Sequence, residues 1–135
     1  MSGQPNIAAE VELKWADGRY LFALKLKQIE ELQRLCGGSG LGEIAQRLLV
    51  EGRWFVADVV ETLRLGLIGG GMPALRAREL IDTYVDGRPL ADPRDPNNSL
   101  TTAQAVLGAV YFGVEEAGGD DEGKAMAAAV DEAAG

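Results

Sequence analysis

The chain has 135 residues, of which 47% are hydrophobic and 25% are charged, a balance typical of one soluble globular domain. Because it contains no histidine and only one cysteine, an internal disulfide is excluded and few residues remain for acid–base or metal chemistry. The net charge of −8 and the lack of a basic stripe disfavour nucleic acid as a partner. The longest apolar run, residues 105–114, is too short for the roughly 20 residues of a membrane-spanning helix.

A β-hairpin is the first predicted element, over residues 10–26. Apolar and polar side chains alternate with a period of two on both sides of Asp17-Gly18, the dipeptide that best suits a tight hairpin turn. One face of the hairpin is therefore apolar and must be covered by the rest of the chain. The residues of this face are Val11, Leu13, Trp15, Tyr20, Phe22, Leu24 and Leu26.

Five helices are predicted after the hairpin, over about residues 27–35, 41–50, 54–68, 72–85 and 99–116, because apolar residues recur there at helical spacing. Glycine clusters separate them and are interpreted as helix ends, since none has the Gly-Lys-Ser/Thr ending of a phosphate-binding loop. The last helix begins at Ser99 or Thr101, and Thr101 with Gln104 fits a capping box. The predicted fold is α+β and mostly α: a hairpin packed on a bundle of about five short helices.

The C-terminal segment carries most of the negative charge, with seven acidic residues against one lysine from Glu115 onward. It is rich in glycine and alanine and has no aromatic residue, so we expect it to be disordered. The predicted domains are therefore a folded unit over residues 1–117 and a flexible acidic tail over residues 118–135. The N-terminus lacks the basic and apolar segments of a secretory signal, which favours a cytoplasmic location.

The sequence lacks the side-chain arrangements that enzyme catalysis usually requires. The carboxylates form no pair in a setting suited to general acid–base catalysis, and Cys36 follows an apolar helical stripe, where a small buried hydrophobic residue is the favoured interpretation. Without histidine, and without calcium-loop spacing, no metal site is predicted. We expect a non-enzymatic protein that binds no cofactor.

The third and last helices carry more apolar residues than one buried face requires. In the third helix, residues 55, 56, 59, 60, 63 and 67 fill one arc, and Trp54, Leu65 and Ile68 lie opposite it. Either this helix is central and covered on both sides, which is favoured, or it presents an apolar stripe to a partner. Phe112 likewise points away from the main apolar arc of the last helix. The candidate partner-binding residues are Trp54, Leu65, Ile68 and Phe112.

From Ile7 to Ala117 the sequence resembles the small tail-assembly proteins of gene transfer agents and related tailed phages. The resemblance rests on the order of the hairpin, the glycine-rich break at 69–71, the segment LIDTYVDGRPLADP and the apolar QAVLGAVYFGVEE. It implies a role in building a phage-like tail, either as tail tube protein or as tail assembly chaperone. Because one hairpin supplies too little strand for a tube lined by β-sheet, we expect a chaperone that binds the tape-measure protein and helps to recruit tail tube subunits in the cytoplasm of a bacterial host. A structural tail tube component and a small regulatory or adaptor protein are the alternatives, and self-association stays open.

Overall fold

The computed structural model describes residues 7–115, which form four short strands and five helices. The strands are β1 (Ile7–Ala8), β2 (Glu10–Trp15), β3 (Gly18–Ala23) and β4 (Val114–Glu115). The helices are α1 (Leu26–Leu35), α2 (Leu41–Ala45) with a π-helical continuation (Gln46–Glu51), α3 (Val56–Gly69), α4 (Ala74–Tyr84) and α5 (Ser99–Phe112). The predicted fold class, a hairpin with a mostly helical domain, is confirmed. The predicted acidic tail, 118–135, lies outside the described residues.

The hairpin forms with its apolar face inward, but its turn lies one residue earlier than predicted. Trp15 pairs with Gly18, so the turn residues are Ala16 and Asp17, and Ala16 takes a positive φ of 55°. The Asp17 carboxylate accepts hydrogen bonds from the hydroxyls of Tyr20 and Tyr84, which hold the turn. Leu26 was predicted on the apolar strand face; it instead begins α1 and is 79% exposed.

The third predicted helix is the central one, as the sequence favoured. α3 packs against α5, β3, α1 and α4, and it buries residues around most of its circumference. Around it the core is built from large side chains of the hairpin and of the other helices. The largest fully buried side chains are Trp15, Phe22, Leu32, Ile44, Leu48, Leu49, Leu63, Leu67, Leu80 and Leu107.

The glycines that end α3 allow the helix to meet the hairpin backbone. A Cβ on Gly69 would stand 1.8 Å from the carbonyl oxygen of Ala23, and a Cβ on Gly70 would stand 2.0 Å from that of Leu21. Any side chain at either position would overlap the backbone of β3. The Gly69-Gly70-Gly71 cluster therefore serves close packing within the chain as well as the end of the helix.

The start and end of α5 differ from the prediction. Asn98 is the N-cap, and its side-chain oxygen accepts a hydrogen bond from the N–H of Thr101 at 2.8 Å, so the predicted capping box of Thr101 and Gln104 is wrong. Gln104 instead donates to the carbonyl of Leu48, a group that the end of the π-helical turn leaves without a helical partner. The helix ends at Phe112, before the predicted boundary at 116, because the next residues form β4 and pair with β1.

Candidate interaction surface

The first turn of α3 is anchored by a buried ion pair. Arg47, on the π-helical turn, donates two hydrogen bonds to the Asp58 carboxylate, at 2.9 and 2.8 Å, and a third to Ser39 Oγ at 2.9 Å. Asp58 also accepts a hydrogen bond from the backbone N–H of Phe55, the N-cap of α3. The Arg47 guanidinium carbon lies 4.1 Å from the centre of the Phe55 ring. The ring is therefore held in place from the side that faces the protein.

The surroundings of this ion pair fix its charge state. Asp58 is fully buried, which by itself would raise the pKa of its carboxyl, but the hydrogen bonds from Arg47 and from the Phe55 N–H outweigh burial and lower that pKa. Burial, followed by the nearby Asp58 carboxylate, raises the pKa of the Cys36 thiol to about 12. Asp58 thus carries a charge at neutral pH, and Cys36 is a neutral thiol with no nucleophilic thiolate.

Next to the anchored turn lies an apolar groove, here called the α3 groove. It has a volume of about 350 Å³ and runs between α3, the second half of α4 and the loop that follows α4. Its floor is aliphatic: Val56, Val60, Ile81, Val85 and Leu90. Charges of both signs line its rim: Arg78, Asp82, Asp86 and Arg88. An apolar floor with a charged rim suits the apolar side of an amphipathic helix.

Val56, which lines the groove, and Phe55, which precedes it in the chain, are among the most exposed apolar residues. Phe55 is 53% exposed and Val56 is 61% exposed. The sequence placed both in the buried arc of the third helix, and that assignment is wrong. Phe55 precedes the helix, so helical spacing does not apply to it, and Val56 is the first residue of the helix. Leu67, which shares Val56's side of the helix three turns later, is buried.

The four residues predicted to contact a partner do not form one surface. Leu65 is 5% exposed and belongs to the core, so it is not available to a partner in the folded chain. Trp54 and Ile68 are half-buried and pack against the core. Only Phe112, 51% exposed at the end of α5, presents most of its side chain, and there its ring packs edge-on against Tyr111. The sequence did not identify Phe55 and Val56 as exposed residues, because burial on α3 changes along the helix axis.

A second cavity, of about 300 Å³, lies between the tip of the hairpin and the 88–98 loop and has a polar lining. Asp92 and Asp95 face it, but Asp92 is paired with Arg94, and Asp95 accepts the N–H of Asn97. Within residues 7–115 no three thiol or carboxyl side chains are grouped so that they could hold a metal ion. In the same range, no helix is both long and apolar enough to cross a membrane.

Comparison with known proteins supplies the family. Residues 8–113 match the model of a family described as phage tail tube protein, GTA-gp10, a range that runs from β1 to the residue after α5. Neither the curated proteins nor the solved structures gave a match. The match includes the α3 groove and confirms the resemblance to gene transfer agent tail proteins. The chain therefore belongs to this phage tail protein family, whose members are structural and non-enzymatic in kind.

Proposed function

We propose that the protein is a non-enzymatic tail assembly chaperone, which binds the tape-measure protein through the α3 groove and helps to recruit tail tube subunits. The observation that carries this proposal is the aliphatic lining of the α3 groove, in which Val56 is 61% exposed at the start of the helix. A contiguous apolar surface with a polar rim is typical of a contact with another protein.

The groove matches the physical demands of a helical partner. An amphipathic helix inserts apolar side chains at i, i+3 or i+4 and i+7, and the floor offers Val56, Val60, Ile81 and Val85 to receive them. The rim can pair with either sign of charge, because it carries two arginines and two aspartates. Binding would keep apolar stretches of the tape-measure protein soluble in the host cytoplasm until tube subunits displace the chaperone.

A structural tail tube component is the second candidate, and the description of the matched family favours it. The architecture of residues 7–115 supports the chaperone, because their strands form only two separate antiparallel pairs. A tube lined by β-sheet needs a continuous sheet from each subunit, and the longest strands here have six residues.

Co-expression with the tape-measure protein tests the role of the groove. We expect Val56→Asp to abolish co-purification and to reduce the soluble fraction of the tape-measure protein, because a carboxylate would replace an apolar contact. Leu75→Asp is the matched control: Leu75 is 73% exposed on α4 and does not line the groove. Equal binding by both variants would exclude the groove as the binding surface.

Quantitative protein analysis of purified particles, beside a deletion of the gene, separates the two candidates. A chaperone is absent from finished particles, and its deletion abolishes tails. Many copies per particle would identify a tube component and overturn the proposal.

A further inference from the structure

The two strands of the hairpin differ in what covers their outer edges. Because Trp15 and Gly18 flank a two-residue turn, they form a hydrogen-bonded pair. Hydrogen-bonded and non-hydrogen-bonded pairs alternate along the hairpin, so the backbone groups of the next pair, Lys14 and Arg19, and of every second pair after it point outward. On β3 these outward groups include the carbonyls of Leu21 and Ala23, which lie against the two glycines that end α3. The outer edge of β3 is therefore covered at Leu21 and Ala23.

On β2 the outward backbone groups belong to Glu10, Glu12 and Lys14. Among residues 7–115, none of these N–H or C=O groups takes part in a backbone hydrogen bond outside the hairpin. All three side chains are exposed. The outer edge of β2 is an open edge on a strand of six residues.

The helix that packs against β2, α5, carries an uncharged stripe. α5 packs under β2, while Val106 lies against Gly66 of α3 and Gln104 reaches the π-helical turn. These contacts leave one side of α5 that faces neither α3 nor that turn. At 100° per residue this side carries Thr101, Ala105 and Phe112. No charged residue occurs between Ser99 and Val114.

We propose that an extended segment of another tail protein adds to the outer edge of β2 as a third strand, in what we call the edge slot: the β2 edge together with this α5 stripe. Side chains of an added strand alternate between two faces. One set would cover Ala105 and Phe112 and should be apolar. The other set would lie beside Glu10 and Glu12 and should include basic residues, which pair favourably across strands with glutamate.

A second copy of this chain does not fit the edge slot. Pairing β2 with the β2 of another copy requires a twofold axis perpendicular to the sheet, which puts both α5 helices on the same face. The paired strands would be about 4.8 Å apart, whereas packed helices need about 8–10 Å between their axes. Because α5 packs under β2 in each copy, the two helices would overlap. The donor must be a segment without a helix under its inner face.

A proline substitution tests the edge directly. Glu12→Pro removes an outward N–H, and proline is tolerated on an edge strand where its nitrogen faces solvent. Glu12→Ala is the matched control, because it removes the same charge and keeps the N–H. The probes are overlapping twelve-residue peptides that cover the other tail proteins of the same particle, with binding followed by fluorescence anisotropy.

We expect a peptide of alternating apolar and basic residues to bind, Glu12→Pro to weaken it at least tenfold, and Glu12→Ala to weaken it less than threefold. Hydrogen exchange of the unmodified protein should slow at the Glu12 and Lys14 amides when the peptide is added, a readout that holds even if the proline variant fails to fold. Absence of any binding peptide, equal binding by Glu12→Pro, or exchange unchanged on β2 would overturn the proposal. A dimer of the unmodified chain that Glu12→Pro dissociates would also overturn it.

The choice of a tail protein as donor rests on the proposed function. The two tests nevertheless distinguish failure of the edge slot from failure of the proposed function. Loss of tape-measure binding in Val56→Asp with peptide binding intact supports the groove alone. If Glu12→Pro binds the peptides as well as the unmodified chain while Val56→Asp still loses the tape-measure protein, the edge slot is excluded and the chaperone proposal stands.

Discussion

Removal of one partner from the Arg47–Asp58 ion pair should cost much of the stability of the domain. Asp58 is fully buried and the Arg47 side chain is 13% exposed, so Asp58→Ala would leave a cation and the Phe55 N–H without their acceptor. An uncompensated buried charge costs about 3–5 kcal/mol. For a domain near 100 residues this corresponds to a fall in Tm of roughly 12–20 °C, at about 4 °C per kcal/mol.

Thermal unfolding of a double-mutant cycle measures this effect. Because an apolar pair leaves no buried charge, Arg47→Met combined with Asp58→Leu should be less destabilised than the sum of the single variants. Glu79→Ala is the matched control: Glu79 pairs with Arg76 at 3.6 Å, but both side chains are about half exposed, so about 1 kcal/mol or less is expected. A loss in Asp58→Ala no larger than in Glu79→Ala would refute the stabilising role of the ion pair.

The pH dependence supplies a second check on the same pair. Since the folded protein lowers the pKa of Asp58, the unfolded chain binds the proton more readily. The stability contributed by this carboxylate is therefore present above the unfolded pKa of about 3.9 and is lost as the pH falls through the lower folded pKa. The difference in unfolding free energy between the unmodified protein and Asp58→Ala should shrink over that acid range. A difference independent of pH would contradict the charge assignment.

Three further predictions follow from packing, burial and capping. Gly70→Ala should unfold the domain or lower its Tm by more than about 10 °C, because the methyl group would stand 2.0 Å from the Leu21 carbonyl oxygen. Gly37→Ala is the control: its φ is +77° but the space around it is open, so thermal melts should show a loss of only about 1–2 kcal/mol. Cys36 should react with a thiol reagent at pH 8 about a thousandfold more slowly when folded than in urea, and rapid labelling of the folded protein would contradict its pKa of about 12. Asn98→Ala should lower the free energy of unfolding by about 1 kcal/mol in urea titrations, with Thr101→Ala nearly neutral; equal effects would argue against Asn98 as the cap.

The sequence carried enough information for the elements and for most of the core. Alternation on both sides of residue 17 fixed the hairpin, because residues two apart share a face of a strand. Glycine pairs marked the ends of α1 and α3, and the broad apolar circumference of α3 identified the central helix. The capping assignment on α5 failed because Asn, Ser and Thr all suit an N-cap, so residues 98, 99 and 101 could not be ranked.

The interaction surface was harder to predict, because it depends on neighbours that are distant in sequence. A helical projection compares positions around an axis, but Val56 and Leu67 share one side of α3 and are 61% and 1% exposed. The Arg47–Asp58 pair joins residues eleven apart across a turn, a separation with no periodic signature. The pairing of β1 with β4 is harder still to predict from the sequence, since strands of two residues are too short to show alternation of apolar and polar side chains.

That last pairing has a consequence for the order of folding. Ile7 lies opposite Glu115, so a ladder of two residues closes almost the entire described chain into a loop. The entropy lost on closing so long a loop is repaid by few contacts, and we expect this ladder to form last and to fray first. Because the two ends meet there, a short linker between residues 7 and 115 should allow new termini in the exposed 91–96 loop. Such a circular permutant would turn the longest-range contact of the domain into a local one, and it should fold faster than the natural chain order.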